Sequence, residues 1–543
     1  MGTDGAGLSG LEYLYQDELK GQRARVGVRV DARRRSYSQD QVNQRTRGNT
    51  LVLNIDKGLQ FIAEQVLRET VKSHAARSGT AVLMNPKTGA VLAMASYPDF
   101  NPNRHQDYDP EFYRNRAVQE IYEPGSTFKI FSLSAVLNEQ LVSMDEDINC
   151  RAGSIQLGSK VYREAGYHDY GILKFNQVVA KSSNIGTIRL VLRLGEEGLY
   201  SYMRRQGFGE KTGIDLPGEE AGLLRPTNQW SPLSIGALSI GQEIGVTAVQ
   251  IASALSTVAN GGYRVRPQIV RQILNPRGET VWQARPQQRR VLSSGTARLM
   301  REAMSEVVES GTGDSAALNG YSSAGKTGTA QTIVNGVYSK TLHIPSFAGF
   351  APLDDPALAA VVTIHEPRGE YYAAKVAAPA FRQIMQRALM HLEVPRDLPL
   401  RPRKRQQTSA LATSAEPEGR GGISEESGQA RGAEQDSRGV PGDGSGRDGR
   451  HVVVLERSSS RQLPDFTGMS LRRVLDWSNR LGLHLQAEGS GMAVSQRPTP
   501  GSGVYSGMPL QVQFSRRAQG RQKDVKSSSA QPVAEPGSGG GRD

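Results

Sequence analysis

The octapeptide AGKTGTAQ, residues 324–331, contains a Lys-Thr-Gly tripeptide that also occurs at Lys87–Gly89 and Lys211–Gly213. The first copy lies in NPKTGAV between two apolar runs, which predicts the turn of a β-hairpin. The second copy lies in GEKTGID, where turn-forming residues predict a loop. The third copy runs on into TAQTIV, which predicts a strand. A cationic strand edge of this kind can bind a carboxylate, with charge from Lys326 and a hydroxyl from Thr327.

A candidate nucleophile lies earlier, in EPGSTFKIFSLSAVL, residues 123–137. A Pro-Gly turn leads into a predicted helix, with Ser126 at its N-terminus and Lys129 one turn later on the same face. A serine hydroxyl needs a base, and a buried lysine amine can be neutral enough to serve. The helix dipole also favours negative charge developing near Ser126. Alone, S-x-x-K is a weak signal, since Ser323–Lys326 has the same form and a helix cap is the common meaning.

A second element is the S-x-N triplet Ser182-Ser183-Asn184. A hydroxyl at Ser182 can relay protons between nucleophile and leaving group. The Asn184 amide can orient both a lysine and a substrate carbonyl. The structural alternative is again a helix cap, a common role for both residue types.

The order of the three elements along the chain points to one chemistry. S-x-x-K, S-x-N and K-T-G in that order are the signature of the penicillin-interacting serine enzymes. Lys87 precedes Ser126, so the order excludes the first Lys-Thr-Gly copy, and the loop context argues against the second. The backbone N–H groups of Ser126 and Thr329 are the expected oxyanion hole. We expect no cofactor and no metal ion.

Beyond these motifs, the chain resembles the class B penicillin-binding proteins, the monofunctional peptidoglycan transpeptidases, from about residue 7 to about residue 390. The resemblance rests on GLSGLEYLYQDELKG, NPKTGAVLAMASYPDFNPN, NRAVQEIYEPGSTFK, LSIGQEIGVTAVQIASALSTVANGG, GYSSAGKTGTAQ and FAGFAP. It implies an α/β (α+β) transpeptidase fold, in which helices flank an antiparallel sheet. It also implies a D,D-transpeptidase that cross-links stem peptides through a serine acyl-enzyme and is acylated by β-lactams.

The resemblance assigns roles residue by residue. Ser126 is implied to be the acylated serine and Lys129 its base. The implied second and third motifs are Ser182, Asn184, Lys326, Thr327 and Gly328.

The C-terminal block from LPDFTGMSL to PLQVQF, residues 463–514, resembles one PASTA domain, with SQRPTPG as the turn between its strands. A transpeptidase with such a tail resembles the septal, cell-division branch of the family. PASTA domains differ in whether they bind peptidoglycan, so the sequence leaves a binding module and an inert module both open.

Composition divides the chain. Residues 396–450 are rich in Gly, Ser, Arg, Glu and Gln, which predicts disorder because little apolar surface can be buried. We expect five segments: a remnant of a pedestal or dimerisation domain (1–49), the transpeptidase domain (50–395), a disordered linker (396–455), the PASTA domain (456–516) and a disordered basic tail (517–543).

Bulk properties bear on location. The 543 residues carry a net charge of +12, but much of it lies in the segments predicted to be unfolded, so we expect no nucleic-acid partner. The single Cys150 excludes an intrachain disulfide.

No apolar run approaches the ~20 residues that span a bilayer, and the N-terminus is no secretory signal. Family members have a transmembrane helix and a longer pedestal first, so the resemblance places the catalytic domain on the outer face of the cell membrane, held by an anchor missing from this chain.

The expected partners follow from the resemblance. They are peptidoglycan stem peptides or a lipid-linked precursor, β-lactams as covalent inhibitors, and a glycosyltransferase with other division proteins. Two rival functions remain open. A D,D-carboxypeptidase or β-lactamase-like hydrolase needs a water-activating base, and the chain has no E-x-x-L-N segment. The other rival is a non-catalytic receptor for β-lactams or peptidoglycan.

Overall fold

A computed structural model describes residues 6–21, 29–30, 36–37, 47–400, 463–504 and 507–515. The chain divides into two compact units, Met1–Leu411 and Ala412–Asp543. The predicted basic tail and all but five residues of the predicted linker lie outside the described residues. Their disorder therefore stays a prediction.

Helices of the first unit alternate irregularly with strands. In chain order they are α1 (Gly10–Leu14), α2 (Gln16–Leu19), α3 (Lys57–Ser73), α4 (Arg116–Gln119), α5 (Lys129–Asn138), α6 (Phe175–Ala180), α7 (Asn184–Arg205), α8 (Ser234–Ser239), α9 (Ala248–Ala259), α10 (Ser294–Glu309) and α11 (Ala377–His391). Helix α3 begins as predicted, with the Asp56 side chain accepting a hydrogen bond from the Leu59 N–H at 2.9 Å.

The strands of the first unit range from two to fifteen residues. They are β1 (Arg29–Val30), β2 (Ser36–Tyr37), β3 (Thr50–Leu53), β4 (Ser78–Met84), β5 (Val91–Tyr97), β6 (Ile148–Asn149), β7 (Ser154–Leu157), β8 (Lys160–Arg163), β9 (Ile172–Leu173), β10 (Tyr263–Val265), β11 (Val270–Leu274), β12 (Thr280–Gln283), β13 (Gln288–Arg290), β14 (Ala324–Val334), β15 (Val337–Ala351) and β16 (Leu358–His365).

One antiparallel sheet of five strands organises the unit, in the order β14-β15-β16-β4-β5. The predicted hairpin is confirmed as β4 and β5, with the first Lys-Thr-Gly copy in its turn. The third copy lies on β14, as predicted, and β14 is an edge strand of this sheet. An edge strand leaves every second backbone N–H and C=O unpaired, so it can hydrogen-bond an extended ligand.

Both faces of the sheet are buried. On β4, Ala81 and Leu83 join the apolar cluster with α3 and α11, whereas Val82 and Met84 join the cluster with α9 and α10. This period-two division lets one strand serve two cores. The predicted fold, an antiparallel sheet flanked by helices, is confirmed.

The second unit is a small α/β domain. Helix α12 (Leu471–Leu481) packs with a three-stranded sheet of β17 (His484–Gly489), β18 (Met492–Arg497) and β19 (Pro509–Ser515). Strand β19 pairs in parallel with β17 and antiparallel with β18. Its core contains Phe466, Val474, Leu510 and Val512.

Within the ranges that the structure describes, no helix is both long enough and apolar enough to cross a membrane.

A buried ring tests the packing of α11 against the sheet. The Phe381 side chain is fully buried and its ring centroid lies 4.5 Å from that of Phe347 on β15. Phe381→Ala should lower the free energy of unfolding by about 3–5 kcal/mol, through lost apolar contact and the cavity left behind. Denaturant unfolding measures this change. Arg382→Ala, at an exposed position on the same helix, is the control and should cost less than about 0.5 kcal/mol. Equal losses in both variants would contradict the packing.

Candidate active site

The candidate nucleophile Ser126 lies on a tight turn whose backbone packs closely against Gly241. Residues Gly125–Phe128 form a 3-10 turn that continues into α5, so Ser126 lies at the start of the predicted helix. The Gly125 N–H donates to the Gly241 carbonyl at 3.0 Å. Gly241 has a φ of +78°, and a Cβ there would lie 2.2 Å from the Gly125 oxygen. Only glycine permits this approach. Ser126 is half-buried, which suits a nucleophile that substrate must reach.

Lys129 connects the first motif to the second. Its side chain is 1% exposed, and its Nζ donates to the Ser182 carbonyl at 2.6 Å and to Asn184 Oδ1 at 2.7 Å. The Ser182 hydroxyl is farther from Nζ, at 3.4 Å. The amide oxygen of Asn184 therefore orients the lysine, as expected from the sequence. In the part of the chain that the structure describes, the Ser126 hydroxyl makes no hydrogen bond, so Lys129 is not joined to it directly.

The second motif lies at a helix start. Ser183 caps α7, accepting from the Gly186 N–H at 2.9 Å, so the structural alternative holds for the middle residue of the triplet. Ser182, just before the cap, has a φ of +57°, a strained conformation for a non-glycine residue. At this helix start the Asn184 amide oxygen faces Lys129, and the Asn184 Nδ2 donates to the Arg163 carbonyl at 2.8 Å.

The third motif packs directly on the turn that carries Ser126. A Cβ at Gly328 would lie 2.8 Å from the Pro124 oxygen and 2.9 Å from Thr127 Cγ2, so only glycine lets β14 come so close. The Thr327 and Thr312 hydroxyls are 2.8 Å apart. Lys326 is fully buried, and its Nζ donates to the Thr327 carbonyl at 3.2 Å.

The other two Lys-Thr-Gly copies serve the fold. Lys87 forms an ion pair with Asp355 beside the β4–β5 turn. In the second copy, the Thr212 side chain and backbone N–H both donate to Glu219, within a loop. Neither copy contacts the Ser126 turn through these bonds, so the interpretation of both as turn or loop elements is supported.

Comparison with known proteins identifies the family of the chain. The family model for the penicillin binding protein transpeptidase domain matches residues 79–386, more than half of the chain. The chain belongs to this family. A PASTA domain model matches residues 461–516.

Individual penicillin-binding proteins show how far the similarity extends. Stage V sporulation protein D of Bacillus subtilis is 38% identical over 411 residues, which cover 75% of this chain and 63% of that protein. The probable peptidoglycan D,D-transpeptidase PenA of Neisseria meningitidis is 34% identical over 406 residues, covering 73% and 67%. The chain thus spans about two thirds of the length of these relatives.

Solved structures extend the comparison to the fold. Penicillin-binding protein 3 of Mycobacterium tuberculosis, complexed with aztreonam, superposes with a TM-score of 0.65 at 34% identity. The superposition covers 74% of this chain and 88% of that one. The complex of the same protein with ampicillin gives the same TM-score and identity.

Two buried lysines dominate the electrostatics of this candidate site. Burial lowers the pKa of the Lys129 amine to about 7, and the nearby Glu164 carboxylate opposes part of that change. Burial also lowers the pKa of Lys326 well below its usual value, and the neighbouring Lys129 charge lowers it further. A lysine with a pKa near neutrality can accept a proton, as a base for a serine must.

Glu164 is a site residue that motif reasoning missed. It is 3% exposed and accepts from the Asn184 N–H at 2.6 Å, from the Ile185 N–H at 3.2 Å and from the Ser183 hydroxyl. Its carboxylate therefore holds the start of α7, and through it Asn184. In the sequence it is one acidic residue in the turn-rich segment REAGYHDYG, and nothing in the local pattern distinguishes it from Asp169.

The influence of Glu164 on Lys129 can be measured directly. The Lys129 amine should titrate near pH 7, the value that burial sets. A negative carboxylate stabilises the ammonium, so Glu164→Gln should lower the pKa of Lys129 further. NMR titration of 13C-labelled lysine Cε signals, assigned with Lys129→Arg, provides the measurement. Glu220→Gln, at an exposed position, is the matched control and should leave the Lys129 midpoint in place. A Lys129 midpoint that stays fixed or rises in Glu164→Gln would refute the electrostatic effect of Glu164 on Lys129.

Proposed function

We propose that this chain is a peptidoglycan D,D-transpeptidase that cross-links stem peptides through an acyl-enzyme on Ser126. The observation that carries the proposal is the convergence of three distant motifs. Lys129 hydrogen-bonds Ser182 and Asn184, while Gly328 packs against the turn that holds Ser126. Relatives named as probable peptidoglycan D,D-transpeptidases support it.

We assign each of these groups a step in the acylation of Ser126. The Ser126 oxygen attacks the carbonyl between the two terminal D-alanines, and its proton passes to the neutral Lys129 amine. The N–H groups of Ser126 and Thr329 bind the oxyanion. The carbon–nitrogen bond then breaks, and the proton returns through the Ser182 hydroxyl to the amine of the departing D-alanine. Lys326 and Thr327 hold its carboxylate, and an arriving anion offsets the desolvation of Lys326.

Transfer completes the reaction. An amine of a neighbouring stem peptide attacks the Ser126 ester, a new amide bond forms, and the serine oxygen recovers its proton. Hydrolysis would need a base that activates water. Glu164, the carboxylate in contact with the second motif, already accepts three hydrogen bonds as a helix cap, which argues against that use. β-Lactams present a similar amide and carboxylate, so we expect them to acylate Ser126.

Location, partners and segment boundaries belong to the same proposal. By similarity to the penicillin-binding proteins, we place the working domain at the outer face of the cell membrane, with a glycosyltransferase and other division proteins as partners. The five segments proposed from the sequence stay compatible with the family matches at 79–386 and 461–516.

The identity of the nucleophile is tested by covalent labelling. Ser126→Ala should abolish labelling by a fluorescent penicillin, because no oxygen remains to form the ester. Ser323→Ala is the matched control, since Ser323 starts the other S-x-x-K segment. Gel fluorescence and intact mass report the outcome. Labelling that persists in Ser126→Ala, or is lost only in Ser323→Ala, would refute the assignment.

The pH dependence of acylation tests the base. Because only the neutral amine accepts the proton, the acylation rate should rise with pH and reach half its maximum near the Lys129 pKa of about 7. Stopped-flow acylation by nitrocefin gives the profile. The same traces distinguish a transpeptidase from a hydrolase. A single burst of nitrocefin opening indicates a long-lived acyl-enzyme, whereas rapid continuing turnover would favour the hydrolase.

A further inference from the structure

A segment with three exposed or partly exposed aromatic side chains borders the second motif. Segment 165–171 directly follows Glu164, whose carboxylate holds the start of α7, and it carries Tyr167, His168 and Tyr170. Tyr167 is 83% exposed, and the His168 and Tyr170 rings stack with their centroids 5.6 Å apart. Exposed clusters of large aromatic side chains commonly mark a binding surface.

Hydrogen bonds restrain the backbone of this segment. The Asp169 carboxylate accepts from the Ala152 N–H at 3.1 Å and from the Gly171 N–H at 2.9 Å. The Tyr167 N–H donates to the Glu164 carbonyl at 3.2 Å, and Tyr167 has a φ of +59°, a strained conformation for a residue with a side chain. Such strain persists only where the surrounding contacts enforce it, and it is frequent at functional sites.

Lys181 adds a positive charge next to these rings. It directly precedes Ser182, its side chain is exposed, and its Nζ lies 5.4 Å from the centroid of the Tyr170 ring. Within the ranges that the structure describes, its ammonium forms no ion pair with a carboxylate and donates no hydrogen bond. The charge of Lys181 is therefore available to an anion from outside the chain.

Backbone contacts connect Lys181 to the end of the site that receives the leaving group. The Ala180 carbonyl, one residue before Lys181, accepts from the Thr312 N–H at 3.2 Å. The Thr312 hydroxyl lies 2.8 Å from that of Thr327, which we assign to the carboxylate of the terminal D-alanine. Lys181 thus borders the leaving-group end of the site.

The acceptor must enter at this same end, a conclusion that rests on the proposed function. Acylation expels an amine from the reacting carbonyl carbon, and transfer brings a new amine to that carbon. Because transfer is chemically the reverse of acylation, the incoming amine approaches along the path by which the D-alanine amine left. The remainder of the acceptor peptide then extends past Thr327 toward Lys181.

We propose that Lys181 binds a carboxylate of the acceptor stem peptide and that the Tyr167, His168 and Tyr170 rings contact the peptide beside it. An ammonium with three N–H donors matches a carboxylate in charge and in hydrogen bonding. The acceptor nitrogen forms the new amide bond, the bond from the acyl carbon to the Ser126 oxygen breaks, and a proton from the amine goes to that oxygen. Lys181 is thus a specificity-determining residue for the acceptor.

Two dipeptide acceptors test the charge at Lys181. D-Alanylglycine carries a carboxylate one residue beyond its amine, whereas D-alanylglycinamide is neutral at that position. The full chain is acylated by the thioester of benzoyl-D-alanine with thioglycolate, and chromatography measures the ratio of transfer product to hydrolysis product. Both products come from one acyl-enzyme, so this ratio does not depend on the rate of acylation. The wild type should prefer the carboxylate acceptor by about fivefold.

Variants at the exposed position 181 should fold and report on the charge. Lys181→Gln should reduce the preference to about one, whereas Lys181→Arg should restore most of it because the charge returns. Added salt should weaken the wild-type preference, since an exposed ion pair is screened. Lys340→Gln is the matched control and should keep the preference, because Lys340 is an exposed lysine on β15, outside the segments that surround Lys181.

The outcomes separate this inference from the proposed function. Equal ratios for both acceptors in the wild type, or a preference that persists in Lys181→Gln, would overturn the acceptor assignment while acyl transfer itself stands. Hydrolysis without transfer to either acceptor would overturn the proposed transpeptidase function, and the acceptor assignment with it.

Discussion

The site depends on the hydrogen bonds between the buried Lys129 amine and the oxygens of Ser182 and Asn184. A lysine without water is stable only if its charge is reduced or its donors are satisfied. Here both occur, since the pKa falls to about 7 and two oxygens lie within 2.7 Å. The strained Ser182 backbone and the Glu164 cap follow from this requirement, because they hold those oxygens in place.

Local chemistry made much of this predictable from the sequence. Asp56 caps a helix by interactions within one turn, and the hairpin around the first Lys-Thr-Gly copy follows from turn residues between apolar runs. Motif order then selected the third copy, and the structure places that copy on an edge strand against the Ser126 turn. Each of these inferences used residues whose roles are fixed by near neighbours or by chain order.

The sequence could not show contacts between residues that lie far apart in the chain. Glu164 acts on α7 from outside any motif, and the Glu123 carboxylate accepts from the N–H of Glu243, which lies 120 residues later in the chain. The sequence predicted that the Asn184 amide orients a lysine, but it did not show that the backbone carbonyl of Ser182 is the second acceptor of Lys129. Hydrophobic periodicity and residue propensity predict the secondary structure of a segment. They do not identify the distant group that will hydrogen-bond to a buried polar side chain.

The absence of side chains at Gly241 and Gly328 has an evolutionary consequence. Both glycines press against the turn that carries Ser126, and any larger residue would displace it. If antibiotics select for variants of this protein, exclusion of the drug cannot arise at either contact without loss of the enzyme's own reaction. We expect resistance substitutions instead in segments that contact β14 without packing on this turn, such as 371–373, whose Ala373 N–H donates to the Thr329 hydroxyl at 3.1 Å.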